Sequence, residues 1–141
     1  MRSVEELVRV AIEARTLAYA PYSGYRVGAA IETDSGEIVS GCNVENLSYG
    51  ATICAERTAV TRMIASNLGT KVLKVAVASK DGVTPCGICL QVLNEFVDDA
   101  DAVVVCVSED GSAEEFKFRQ LMPHAFQSSS VRRTESPCDE V

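Results

Sequence analysis

Hydrophobic positions near the start of the chain recur with helical spacing: Val4, Leu7, Val8, Ala11, Ile12 and Ala18 fall on one side, with Glu5, Arg9 and Glu13 between them. This pattern predicts an amphipathic helix over roughly residues 3–19 that covers one face of a sheet. Pro21 and Gly24 in "APYSGY" interrupt it, and "RVGAAIET" and "EIVSGC" then flank Asp34, Ser35 and Gly36 in the manner of a β-hairpin. "CAERTAVTRMIA" returns to a helical pattern from Cys54 to about Ala65, and "KVLKVAVAS" from Lys71 to Ser79 is an apolar, β-branched run of strand length. Thr84 and Pro85 supply an N-cap and a first-turn proline for a helix through about Phe96, before "DAVVVCVSE" reads as strand again. Strand, helix and strand in succession imply a right-handed parallel crossover. "EEFKFRQLMPHAF" reads as a short edge strand and a terminal helical turn, and the polar, serine-rich "QSSSVRRTESPCDEV" as a loose tail. The sum is one α/β domain, a mixed sheet with helices on both faces.

The chain has 141 residues, enough for a single core without covalent staples. Thirteen Lys and Arg against twenty Asp and Glu leave a net charge of −7, with no basic stretch to neutralise a phosphate backbone, so a nucleic acid polymer is not expected as a partner. The first twenty residues lack the continuous apolar core of a signal peptide, and no later run is long and apolar enough for a bilayer. A soluble, cytoplasmic protein is expected, with no membrane partner. In that reducing compartment six cysteines read as metal ligands, reactive thiols or small buried hydrophobes in preference to disulfides.

Three of the cysteines share a pattern. Cys86 and Cys89, at C-x-x-C spacing on the first turn of a helix, point the same way, as two thiolates gripping one ion must. The pair alone also fits a redox dithiol. Cys54 sits at a second predicted helix start, where free N–H groups favour thiolate charge. Three protein ligands with an open fourth position is the arrangement of a catalytic zinc; a structural zinc closes with four, and Cys42 is the rival fourth ligand. Glu56 lies two residues from Cys54, roughly 200° around an ideal helix, which suits a proton shuttle better than a ligand. Taken singly, Glu56 reads as a first-turn acid and Cys54 as a buried small hydrophobe.

"CAER" followed by "PCGIC", with "NVEN" upstream and "LMPHAF" downstream, resembles the zinc-dependent cytidine deaminases of the small homotetrameric type. The resemblance runs from about Leu7 to Phe126, so residues 1–126 are expected to form the catalytic domain and 127–141 a flexible tail. It implies a three-layer α/β/α fold with a mixed, mostly parallel sheet. It also implies Zn2+ on Cys54, Cys86 and Cys89, lowering the pKa of a bound water that attacks C4 of cytidine or deoxycytidine in pyrimidine salvage. Glu56 would move the water's proton to N3 and then help protonate the departing ammonia. The backbones of Ala55 and Thr84 would contact the base, Asn43 and Glu45 the ribose, and Arg57 the zinc thiolates. Tyr25 stands where the family usually carries a phenylalanine near the pyrimidine, and Tyr49 and Phe126 match residues that reach a neighbouring subunit's pocket, which implies a homotetramer with composite sites.

Two features depart from the family. Leu90 replaces the arginine that usually follows the last cysteine, which leaves Arg57 and the helix termini to balance the thiolates, and Arg26 is either a rim charge or incidental. The only histidine, His124, reads as a surface residue, and Cys42, Cys106 and Cys138 as apolar strand positions and a tail thiol. Three other functions remain open on sequence: deamination of another aminopyrimidine nucleoside such as a nucleoside antibiotic, a non-catalytic zinc-stabilised domain, and thiol redox chemistry.

Overall fold

Small residues on one face of the sheet and large ones on the other decide how the layers stack. The computed structural model describes residues 1–127. Helix α1 (Val4–Arg15) starts at Ser3, whose hydroxyl accepts the Glu6 N–H at 3.1 Å. Strands β1 (Gly28–Thr33) and β2 (Ile38–Cys42) form the expected hairpin, closed through Gly36 at φ 83°. Next come a single 3-10 turn (Tyr49–Ala51), α2 (Ala55–Ala65), β3 (Val72–Ala78), α3 (Gly87–Phe96), β4 (Val103–Val107), β5 (Ala113–Lys117) and the short α4 (Phe118–Leu121).

The five strands lie in the order β2-β1-β3-β4-β5. The sheet is mixed, but β3 with β4 is the one parallel pairing, and β1 with β2, β1 with β3 and β4 with β5 are antiparallel. The expectation of a mostly parallel sheet is therefore corrected. β1 inserts between β2 and β3, so the two strands that α2 connects never touch, an insertion that local periodicity does not register. A second difference concerns α3: its N-cap is Cys86, not Thr84, and Pro85 precedes the helix. The first backbone bond of that helix runs from the Leu90 N–H to the Cys86 carbonyl at 2.9 Å. The tail expectation and Cys138 lie outside the described residues.

α1 packs on one face, with Leu7 and Ala11 against Ala30, Ala76, Ala78, Val105 and Val107. α2 and α3 pack on the other, with Ala59, Val60, Met63 and Leu93 against Ile31, Val39, Val75, Val77, Val104 and Cys106. Two glycines set the approach of the helices. A Cβ on Gly28 would lie 2.1 Å from the Ala11 carbonyl oxygen of α1, and one on Gly41 would lie 2.4 Å from Ala59 N and 2.5 Å from the Ala55 carbonyl oxygen of α2. Gly41 thus seats the first turn of α2, the turn that carries Glu56.

A buried ion pair fastens the opposite end of the molecule. Glu32 and Lys74 face each other across β1 and β3, with Nζ 3.1 Å from Oε2. Glu32 Oε1 accepts the Arg2 N–H at 2.9 Å and Lys74 donates to the Arg2 carbonyl at 2.7 Å, so the pair docks the peptide that leads into α1. Burial raises the Glu32 pKa, but the Arg2 N–H and the Lys74 ammonium more than offset this and hold it below the usual glutamate value.

Gly41→Ala is expected to cost at least about 2 kcal/mol in urea unfolding and to lower zinc retention, because α2 must move off β2. Lys74→Met is expected to cost about 3–5 kcal/mol by stranding a buried carboxylate. Because folding lowers the Glu32 pKa, its stabilisation is complete above the ordinary value of 4.5 and is lost as pH falls through the folded value. Unfolding free energy measured against pH should therefore fall less steeply below that point in Glu32→Gln than in the wild type.

Candidate metal centre and pocket

Cys54 and Cys86 are the N-caps of α2 and α3, and neither side chain is spent on a capping hydrogen bond. Both sulfurs are therefore free at the positive ends of two helices. Cys89 follows on the first turn of α3, fully buried. The three Sγ atoms lie within 4.8 Å of one another, with Cys54 and Cys86 4.0 Å apart. Cys42 is not part of this group. Among the described residues five cysteines are free thiols.

The donor set suits a dication. A hydrogen bond from Cys89, aided by Arg57 and Cys86, brings Cys54 down to about 5, while that same contact, burial and the Glu56 charge push Cys89 up. Without a cation, one thiolate forms at the expense of its neighbour. A doubly charged, thiolate-binding ion removes that competition, and three sulfurs at this spacing fit zinc. Arg57 Nη2 donates to Cys54 Sγ at 3.6 Å and to the Thr52 carbonyl at 3.2 Å. Its buried Nε has no hydrogen-bond partner. Leu90 turns into the core cluster, so this position is an apolar packing site rather than a source of compensating charge.

A cavity of about 330 Å³ opens beside the sulfurs, within the range of small-molecule sites. Tyr25, Asn43, Glu45, Ala55, Glu56 and Thr84 all line it, together with Cys54 and Cys86. Glu56 is 4 % exposed, and burial, then the Cys54 charge, raises its pKa. Such a carboxyl is a stronger base than an ordinary glutamate, as a group that takes up a proton and passes it on must be.

Glu45 points to the cavity with both oxygens engaged: Oε1 accepts the Tyr22 and Ser23 N–H groups at 3.0 Å each, and Oε2 accepts the Ser23 hydroxyl. These bonds, that of the Ser23 hydroxyl first, hold its pKa below the usual glutamate value. Asn43 is nearly buried and bridges backbone, with Oδ1 accepting Val27 N–H and Nδ2 donating to the Tyr25 carbonyl, both at 2.8 Å. One N–H and one lone pair of that amide remain.

Ser23, Val27, Thr52 and Val83 also line the cavity and escaped sequence reasoning. Ser23 alone left a trace, as a turn serine two residues before Tyr25. Tyr49 lies in an adjoining depression that shares Ser23, Glu45 and Thr52, its ring edge-on to Tyr22 at 6.0 Å. Phe126 is not brought to the cavity: it is 63 % exposed on the α3 side, its carbonyl accepting from Gln91 and Asn94. Arg26 donates to the Thr16 carbonyl at the end of α1, and His124 is exposed. Cys106 is buried in β4, and desolvation pushes its thiol up to about 12, as an inert apolar position requires.

Comparison with known proteins follows the same lines. Residues 1–107 match the family model described as the cytidine and deoxycytidylate deaminase zinc-binding region. A probable cytidine deaminase of Dictyostelium discoideum is 42% identical over 127 residues, covering 87% of this chain and 83% of that protein. A cytidine deaminase of Sporosarcina psychrophila is 40% identical, covering 87% of this chain and 90% of its own. Among solved structures, the cytidine deaminase of Burkholderia pseudomallei superposes with a TM-score of 0.82 at 37% identity, over 89% of this chain and all of the other. That of Mycobacterium tuberculosis gives 0.77 at 35%, over 90% and 99%. The matched region contains all three clustered sulfurs, so the likeness covers the chemistry as well as the fold, and zinc is the cofactor it implies. The chain belongs to the cytidine and deoxycytidylate deaminase zinc-binding family.

Proposed function

We propose that this chain hydrolyses the 4-amino group of cytidine and deoxycytidine, giving uridine or deoxyuridine and ammonia, as a step of pyrimidine salvage. The observation that carries this reading is the three-sulfur cluster, with no fourth cysteine ligand among the described residues, opening directly onto a cavity that holds a buried carboxyl. A structural zinc domain would close its coordination, and a redox dithiol would have no use for Glu56.

Cys54, Cys86 and Cys89 would hold zinc, which when bound would supply an activated water as nucleophile at neutral pH. Glu56 performs the proton transfers: it takes a proton from the attacking water, delivers it to N3 of the pyrimidine, and assists the departure of ammonia from C4. Protonation at N3 keeps negative charge from building on the ring as C4 becomes tetrahedral. Ala55 and Thr84 border the base and Tyr25 offers a ring face to it, while Asn43 and Glu45 meet the sugar hydroxyls. Arg57 steadies the thiolates.

Charge around the cavity favours nucleosides over nucleotides. Among the described residues the lining contains Glu45 and Glu56 and no Lys, Arg or His, so a phosphate would find carboxylates and no cation there. The thiolate ligand set supports a reducing, cytoplasmic setting. A homotetramer is supported by the exposed Leu47, Tyr49, Ile88 and Phe126, with Tyr49 and Phe126 completing a neighbour's pocket. The continuous sheet and its two cores support one catalytic domain over residues 1–126.

Ammonia release from cytidine or deoxycytidine, with zinc measured on the same sample, tests the reading. Glu56→Gln is expected to keep its zinc and lose about 10²–10⁴-fold in turnover; zinc without turnover in the wild type would refute the proposal. Cytidine 5′-monophosphate is expected to fall at least about 100-fold below cytidine in kcat/KM, and equal rates would refute the charge argument.

A further inference from the structure

The Tyr25 hydroxyl has a partner from a distant segment. It donates to Asp81 Oδ1, 56 residues along the chain. Tyr25 arrives from the loop between α1 and β1, and Asp81 from the segment between β3 and α3. Each end is independently fixed. The Tyr25 N–H donates to Ser23 Oγ at 3.0 Å, and its carbonyl accepts from Asn43. Asp81 pairs through its backbone with Ser108, Gly82 takes a left-handed φ of +70°, and the Val83 N–H donates to buried Ser79 Oγ at 3.1 Å. Val83 and Thr84, which follow immediately, form a wall of the cavity, whereas Asp81 is outside its lining.

We propose that Asp81 is a positioning residue: by accepting the Tyr25 hydroxyl it locks the Tyr25 ring against the Val83–Thr84 wall and thereby sets how tightly the base is held. The inference rests on the deaminase reading. Asp81 touches no reacting atom, so its contribution falls on substrate binding and not on the chemical step. The carboxylate is exposed, so water replaces the phenol when the bond is removed and folding loses little.

The test is steady-state kinetics with cytidine on wild type, Asp81→Ala, Asp81→Asn, Tyr25→Phe and the Tyr25→Phe/Asp81→Ala double variant, with thermal unfolding of each. Asp81→Ala is expected to raise KM by about three- to tenfold with kcat held within about twofold. Asp81→Asn, whose amide oxygen still accepts the phenol, should restore most of the wild-type KM. In the Tyr25→Phe background, Asp81→Ala should add nothing, since its effect passes through the hydroxyl. An unchanged KM in Asp81→Ala, an equal rise in both backgrounds, or a collapse of folding in Asp81→Ala would overturn the inference while leaving the deaminase reading intact. A wild-type protein that deaminates no nucleoside would overturn both.

Discussion

Three cysteine sulfurs within 4.8 Å cannot all carry charge unless something positive joins them, and the rest of the site is arranged around that constraint. The sulfurs come from two helices whose N-termini converge, and each helix is held where it is by the sheet beneath. For α2 the decisive contact is Gly41, where the strand has no side chain to keep the helix away. Backbone closeness at one position thus fixes Cys54, Glu56 and Arg57 together, because they share the first turn or its cap. The sheet contributes no ligand of its own, yet its small residues set the distance on which ligation depends.

The polar part of the pocket follows another logic. Asn43 and Glu45 are already hydrogen-bonded to the protein before any ligand arrives. Ser23 and the Tyr22 N–H hold the Glu45 carboxylate ionised and oriented, so little ordering entropy remains to be lost on binding. Glu56 is treated in the opposite way, desolvated so that its affinity for a proton is raised. Two carboxyl groups in one cavity are thereby given different work by different surroundings.

The sequence displayed its local chemistry well and its long-range arrangement less well. Helical spacing located α1 and α2, and the family resemblance carried by C-x-E with P-C-x-x-C pointed to the three sulfurs that cluster and to a carboxyl that lines the cavity beside them. Strand order was hidden: whether β1 lies beside β3 depends on contacts between residues far apart in the chain, such as Gly28 with Ala78, and no local pattern encodes it. The cap of α3 was misplaced because threonine and proline carry the usual starting signals, while the actual cap, Cys86, is a cysteine kept free for metal. Ser23, Thr52 and Val83 were missed for a related reason. They are ordinary loop residues whose place in the pocket comes from the meeting of distant segments.

The double duty of Asn43 limits how a ligand in the cavity can use its amide. Its side chain spans the Tyr25 carbonyl and the Val27 N–H, and so splices the strand entrance to the loop that carries the pocket's aromatic ring. A ligand that drew this amide away would unfasten that ring in the same motion. On the proposed reading, a sugar hydroxyl would approach along the one N–H or lone pair left over, and the amide would act as a fixed gauge of sugar position.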